Sequence, residues 1–164
     1  MASQKILIKY ATRGNPEKFF AGLNNILQMA AQPQNIVVLA SIDTDDITMY
    51  NKEVMGRMKP FIAAKQLLVV PNTSANKIVA INRDINLVVQ PWDILVNFSD
   101  SIEFTVRGFD DIIRQKFDIN YARAMLKLMP GHEPHPNFFT TETFSVYFGN
   151  ELYNDEPKKE KTTK

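Results

Sequence analysis

The chain contains no cysteine among its 164 residues. This absence excludes disulfide bonds, thiolate nucleophiles and zinc sites with cysteine ligands. It is compatible with a reducing compartment. The first residues lead directly into an apolar stretch at residues 6–8 that is far shorter than the core of a signal peptide, so we expect a cytoplasmic protein.

Long apolar runs are also missing. No stretch approaches the ~20 apolar residues that a membrane-spanning helix needs, so we expect no transmembrane segment. With only 6 glycines and 9 prolines, collagen-like and low-complexity architectures are excluded. Because 45% of the residues are hydrophobic, the chain can build a folded core and is too apolar for an intrinsically disordered protein.

An excess of positive charge is absent from most of the chain. The formal net charge is +1, but the last eight residues hold four of the 19 basic residues and only one of the 18 acidic ones. The preceding part therefore carries a small negative charge, which argues against nucleic acid as a partner. We predict a single domain over residues 1–156 and a disordered basic tail over residues 157–164.

The common phosphate-binding and nucleophile motifs are missing as well. The sequence has neither Gly-x-Gly-x-x-Gly nor Gly-x-x-x-x-Gly-Lys-Ser/Thr, and it has no Gly-x-Ser-x-Gly elbow. A bound phosphate would therefore have to be held by a metal ion or by side chains such as Arg13 and Lys77.

The pattern that is present is an alternation of strands and helices. Short apolar runs predict strands at residues 5–10, 35–42, 66–70 and 92–98, with Pro71 closing the third. Apolar residues at helical spacing predict helices after Asn15, after Asn51, over 75–83 and over 109–117, and residues 143–153 are compatible with a further helix. This order predicts an α/β fold, a three-layer α/β/α sandwich with a mostly parallel central sheet.

Polar residues gather where the predicted strands end. In such sheets ligands bind at the carboxyl ends of the strands, which here carry Thr12, Arg13, Asp43, Asp45, Asp46, Asn72 and Asp100. An arginine fork suits a phosphate, and a strand-end carboxylate can accept hydrogen bonds from a ribose hydroxyl or a uracil N–H. The structural alternatives are a solvated loop and, for Asp46 and Asn51, the cap of a helix.

Several strings, taken in order, resemble the nucleotide-diphospho-sugar glycosyltransferases of the GT-A fold, family 2-like. They are IKYATRGNPEKF at residues 8–19, IDTDD at 42–46, NKIVAINRDI at 76–85 and ILVNFSDS at 94–101, with RGFD at 107–110. The string at 76–85 is the most diagnostic. The resemblance covers residues 5–117 and, more loosely, 130–153.

The resemblance implies a protein that binds a nucleotide-diphospho-sugar, with uridine as the expected nucleoside, together with Mn²⁺ or Mg²⁺. It implies nucleotide contacts from the residues that match the family's strings: Thr12, Arg13, Asp43, Asp45, Asn76 and Lys77. For Lys77 the alternative is an ordinary surface lysine on an amphipathic helix.

Asp100 is the expected metal ligand, because a cation that bridges two phosphates needs hard oxygen donors. The family usually places a second carboxylate beside it, whereas this chain has Ser99 and Ser101 on either side. Weak metal affinity, a substitute ligand in Glu103, and loss of catalysis are the three alternatives.

An inverting transferase needs a general base, for which Asp110 and Glu133 are the candidates. Asp110 stands at the start of a predicted helix, where acidic residues are common for structural reasons alone. Glu133 lies in a proline-rich loop with His132 and His135, which are candidates for phosphate contact or for a metal shell.

Two functions of different class follow from this sequence. The first is a glycosyltransferase (hexosyltransferase type) that acts on an unknown acceptor: a glycan, a lipid-linked species or a protein. The second is a non-catalytic nucleotide-sugar binding module, favoured by the missing second carboxylate and by a chain shorter than the usual catalytic domain of this fold. A role in protein interaction alone is a third alternative.

Overall fold

A computed structural model describes residues 4–74, 76–116 and 146–148 of the chain. Five strands and four α-helices lie in these ranges. The strands are β1 (Ile6–Ala11), β2 (Ile36–Asp43), β3 (Leu67–Asn72), β4 (Ile94–Phe98) and β5 (Val146–Phe148). The helices are α1 (Pro16–Met29), α2 (Lys52–Ala63), α3 (Lys77–Asn82) and α4 (Phe109–Lys116), and two 3₁₀ helices cover Pro33–Asn35 and Ile85–Leu87.

The strands form one sheet in the order β3-β2-β1-β4-β5. The first four are parallel, with Ile6 of β1 opposite Ile36 of β2 on one side and Ile94 of β4 on the other. β5 runs antiparallel to β4. A parallel sheet needs crossover helices on its faces, and α1, α2 and α3 supply these crossovers. The predicted α/β fold with a mostly parallel sheet is confirmed.

Both faces of the sheet are covered, as the predicted three layers require. On one face, Ile8 and Tyr10 of β1 pack with residues of α1, α2 and α4, among them Phe19, Met58 and Phe109. On the other face, buried side chains of β1, β2 and β4 pack with α3 and the segment after it. The buried residues of this cluster include Leu7, Leu39, Ile81, Ile85, Trp92 and Leu95. The near-continuous apolar runs of the strands follow from this double burial.

Asparagine side chains cap the N-termini of three helices. Asn15, Asn51 and Asn76 each accept a hydrogen bond from the backbone N–H three residues on, at 3.1, 2.9 and 2.9 Å. Each such bond satisfies a donor that the first helical turn leaves free. The caps predicted at Asn15 and Asn51 are confirmed, and α3 begins two residues later than the predicted start at residue 75.

Two further predictions, one of a strand end and one of a helix, were wrong. Pro71 does not close the third strand, because β3 continues through Pro71 to Asn72. β3 is an edge strand, where the missing N–H of a proline removes no bond to a neighbour. The helix compatible with residues 143–153 is contradicted at Val146–Phe148, which form β5. β-branched and aromatic residues favour a strand there.

Other expectations lie outside the described residues. They concern the proline-rich loop with His132, Glu133 and His135, and the basic tail at residues 157–164. In the part of the chain that the structure describes, no helix combines the length and apolar character that crossing a bilayer requires.

Candidate functional site

A cavity of about 560 Å³ opens where β1, β2 and β4 end. Ten of its twelve lining residues are polar or charged, and the lining comes from the strand ends, the loops after them and α3: Ala11, Thr12, Arg13, Ser41, Asp43, Asp45, Ser74, Asn76, Ala80, Ser99, Asp100 and Ser101. A concave site at the carboxyl end of a parallel sheet is where α/β proteins bind ligands.

The sheet explains why distant parts of the sequence meet here. Ala11, the last residue of β1, lies opposite Ser41 of β2, and Asp43 at the end of β2 lies opposite Asn72 of β3. Six residues predicted from the sequence line this one cavity: Thr12, Arg13, Asp43, Asp45, Asn76 and Asp100. Lys77 follows Asn76 as the first residue of α3.

Arg13 joins the two acidic residues at the mouth of the cavity. Its Nη1 lies 2.8 Å from Asp43 Oδ2 and 3.2 Å from Asp45 Oδ1. Hydrogen bonds and charge attraction from Asp45, with a further bond from Asp43, raise the pKa of Arg13. The Arg13 and Asp45 side chains are 57% and 70% exposed, so their pair is of the surface type that contributes little stability, whereas the Asp43 side chain is only 13% exposed.

Asp46 has a structural role in the loops beside the cavity. It is buried and accepts hydrogen bonds from the backbone N–H of Gly14 at 2.8 Å and from the N–H and hydroxyl of Thr48. Burial raises the pKa of Asp46, but these hydrogen bonds outweigh it and hold the pKa below its ordinary value. Gly14 has φ +79°, a left-handed conformation that favours glycine, and Asp46 fixes this turn.

The Asp100 carboxylate accepts hydrogen bonds from two hydroxyl groups, one in β1 and one in the loop that follows β1. Tyr10 donates to Asp100 Oδ1 at 2.6 Å, and Thr12 donates to Oδ2 at 3.0 Å. Burial and the bond to Asp100 raise the pKa of Tyr10 far above its usual range. Tyr10 therefore stays protonated and remains a donor, which fixes the orientation of the carboxylate.

The donor set around Asp100 fits a weak site for a hard divalent cation. Between Ser99 and Ser101, Asp100 supplies one carboxylate to the cavity lining, and the hydroxyl oxygens of the two serines lie 3.0 Å from each other. Among the described residues no group of three or more acidic or imidazole side chains could hold a metal. Mg²⁺ commonly binds through one or two carboxylates and completes its shell with water and substrate phosphates.

Two solved structures share this fold. The first is a mannosyltransferase, PcManGT from Pyrobaculum calidifontis in complex with GDP-Man and Mn²⁺, with a TM-score of 0.65 and 13% identity over 94% of this chain and 47% of that one. The second is residues 1–349 of TarS from S. aureus, with a TM-score of 0.54 and 11% identity over 92% and 48%. The chain has a GT-A-like glycosyltransferase fold. It spans about half the length of either structure.

No protein-family model matches the sequence, and no curated protein matches it either. At 13% identity a structural likeness shows the fold alone, so the site has to be argued from its own residues.

Asp110 lies apart from the cavity in this GT-A-like fold. It is fully buried at the start of α4, where its oxygens accept from the backbone N–H groups of Ala31 and Gln32 at 2.7 and 2.9 Å and from Arg114 at 2.7 Å. Burial raises its pKa, but these partners more than compensate and hold the pKa low. This geometry is that of a structural carboxylate that ties α4 to the end of α1, and it does not favour the expected role as a base.

A buried polar network under the cavity was not predicted. The Lys9 ammonium, with no exposed surface, donates to Ser41 Oγ at 2.6 Å and to the Ala80 carbonyl at 2.7 Å. Ser41 donates in turn to Asp84 at 2.7 Å, and Asp84 pairs with Arg83 at 2.6 Å. The one available signal was Lys9 itself, a charged residue inside an otherwise apolar strand.

Proposed function

We propose that the chain binds a nucleotide-diphospho-sugar, a UDP-sugar, together with Mn²⁺ or Mg²⁺ in the cavity at the strand ends, and transfers the sugar to an acceptor. One observation carries the proposal: six residues expected to contact the nucleotide or the metal converge on a single polar cavity. The likeness to a mannosyltransferase solved with GDP-Man and Mn²⁺ supports it at the level of the fold.

Asp43 is assigned to the nucleoside. Its side chain is 13% exposed at the end of β2, and a fixed carboxylate accepts strongly from a uracil N–H or a ribose hydroxyl. Asp45 is more open, with 70% of its side chain exposed, and is assigned to the ribose at the rim. The acceptor character of both residues suits the hydrogen-bond donors of a nucleoside.

Arg13, Thr12 and Asn76 are assigned to the diphosphate, together with Lys77. The Arg13 side chain is 57% exposed, so its guanidinium can turn from Asp43 and Asp45 to phosphate oxygens when a ligand enters. This side-chain route replaces the glycine-rich phosphate loops that the sequence lacks.

Asp100 would hold the divalent cation, with Ser99 and Ser101 as neighbouring oxygen donors. A cation there supplies Lewis-acid stabilisation of the negative charge on the departing nucleoside diphosphate. Tyr10 and Thr12 keep the Asp100 carboxylate in one orientation, since both donate hydrogen bonds to it. Of the two expected bases, Glu133 is the one we retain, and it belongs to the part of the chain outside the described residues.

A second candidate function is a nucleotide-sugar binding module without turnover. The observation that favours it is the single carboxylate between Ser99 and Ser101, where a transferase of this fold usually has a pair. The two functions share the ligand and differ only in whether nucleoside diphosphate is released.

The test is isothermal titration with UDP and with GDP, each with Mn²⁺ or with a chelator. We expect Mn²⁺-dependent binding of UDP that Asp100→Ala weakens at least tenfold. Asp93→Asn is the matched control, because Asp93 precedes β4 at the opposite end of the sheet, where it accepts from the Lys5 N–H at 2.8 Å. Absence of binding for both nucleotides would overturn the proposal.

Turnover decides between the two candidate functions. Release of free UDP from a panel of UDP-sugars, measured with and without candidate acceptors, is expected for a transferase. Tight binding of the same sugars with no UDP released would establish the binding module instead.

A further inference from the structure

Arg83 is nine-tenths buried just beyond the end of α3, and it does not line the cavity. Its guanidinium nevertheless contacts five groups from the strand ends and the loops around them. The contacts are to the Ile42 carbonyl at 2.7 Å, the Val70 carbonyl at 3.3 Å, Ser74 Oγ at 2.9 Å, Asp84 Oδ2 at 2.6 Å and Asp43 Oδ1 at 3.6 Å.

This set of contacts needs an arginine. Nε donates to Ser74, Nη1 donates to Val70 and Asp84, and Nη2 donates to Ile42. All three nitrogens of the guanidinium group therefore have hydrogen-bond partners. A lysine ammonium is a single point with three donors and cannot reach groups on separate sides. The arginine therefore joins β2, β3 and the loop after β3 to the segment after α3.

Three of the cavity's lining residues depend on these contacts. Ser74 accepts directly from Arg83, Asp43 is its ion-pair partner, and Ser41 donates to the Asp84 carboxylate that Arg83 holds. Arg83 thus affects the lining of the cavity indirectly, through Ser74, Asp43 and Asp84.

The two arginines that pair with Asp43 differ in how exposed their side chains are. Arg13 meets Oδ2 from the solvent side and is 57% exposed, whereas Arg83 meets Oδ1 from the interior and is 10% exposed. An entering ligand can displace the exposed arginine, but the interior one stays in place because four hydrogen bonds hold it.

We propose that Arg83 is a positioning residue that presents Asp43 and Ser74 to the nucleoside part of the ligand. The inference rests on the nucleotide-binding function proposed above and adds to it a residue outside the cavity. Its consequence is that nucleotide affinity depends on a side chain that never touches the nucleotide.

The test compares Arg83→Lys with Arg114→Lys. Arg114 is the matched control, because it is 8% exposed, lies in α4 away from the cavity, and pairs with Asp110 and Asp111 at 2.7 and 2.8 Å. We expect Arg83→Lys to weaken UDP binding at least tenfold and Arg114→Lys to change it less than twofold, at matched thermal stability. An equal loss in both variants would overturn the proposal, because it would reflect general destabilisation.

A double-mutant cycle separates positioning from a merely structural role. If Arg83 acts through Asp43, adding Arg83→Lys to Asp43→Asn costs less than a further threefold in affinity. Full additivity of the two changes would contradict the proposal.

Amide hydrogen exchange tests the inference even if the wild-type chain binds neither UDP nor GDP, which is the result that would overturn the proposed function. The Thr44 N–H bonds to the Asn72 carbonyl at 2.8 Å, across the strand ends that Arg83 joins. Exchange at Thr44 that is faster in Arg83→Lys and unchanged in Arg114→Lys would support the positioning role. Unchanged exchange in Arg83→Lys would overturn it.

Discussion

Lys9 is a charged side chain in the middle of a buried strand, with no exposed surface. Desolvation, with repulsion from Arg83, outweighs attraction by Asp84 and Asp43 and lowers the pKa of Lys9 from 10.5 to about 7. Its hydrogen bonds to Ser41 and Ala80 keep it in place. The folded protein therefore releases this proton near neutral pH, whereas the unfolded chain keeps it.

This difference predicts stability that rises with pH. Between pH 7 and pH 9 the unfolded state binds more protons at Lys9, so the free energy of unfolding increases by about 2 kcal/mol from this group. Urea denaturation of the wild type and of Lys9→Met at both pH values measures the effect. The slope should be present in the wild type and absent in the variant; parallel pH profiles would disprove the assignment.

Single residues could be predicted where a local pattern marks them. Asp43 and Asp100 follow strands that are evident from their apolar runs, so their place at one edge of the sheet follows from the fold class. The link from Lys9 to Ser41 and to the Ala80 carbonyl could not be predicted, because it joins segments 32 and 71 residues apart whose register only the folded sheet sets. Asp110 shows the converse, since a first-turn acid looks the same in sequence whether it is catalytic or structural.

At the scale of the elements, α1 passes very close to β1 at Gly22. A Cβ added at Gly22 would collide with the Tyr10 hydroxyl, which is the group that donates to Asp100. The glycine is therefore required by the close approach of the helix, and the packing of α1 is coupled to the orientation of the Asp100 carboxylate.

Gly22→Ala is expected to destabilise the protein by about 1–3 kcal/mol, because the new methyl group must displace the Tyr10 ring. Gly56→Ala is the matched control: Gly56 also lies inside a helix, α2, but nothing lies within 4 Å of an added Cβ. Removing glycine from a helix interior stabilises by roughly 0.5–1 kcal/mol, so the control should gain stability. Chemical denaturation measures both, and equal changes in the two variants would refute the steric explanation.

The elements themselves were largely predictable. Asparagine caps and helical spacing located α1 and α2, and apolar runs located the parallel strands. The extension of β3 through Pro71 depends on its edge position, and β5 depends on pairing with β4, which lies far away in sequence. Both are decided by tertiary neighbours, which a local pattern does not contain.

At the scale of the whole molecule, the order of strands and helices determines where polar residues meet. Four parallel strands end at one edge, and the loops that follow them bring an arginine, several carboxylates and serine hydroxyls around one cavity. The buried hydrogen bond between Lys9 and Ser41 adjoins this cavity, and the ion pairs of Arg13 with Asp43 and Asp45 lie at its mouth. The chain shares its fold with two glycosyltransferase structures, and the residues at this edge support the proposed ligand.

The most direct test of the central claim is a nuclear magnetic resonance titration of the ¹⁵N-labelled protein with UDP and Mg²⁺. We predict chemical-shift changes concentrated at the carboxyl ends of the strands, at Thr12, Asp43, Asn76 and Asp100. Changes confined to the opposite end of the sheet, around Lys5 and Asp93, would contradict the account, as would a spectrum that UDP and GDP both leave unchanged.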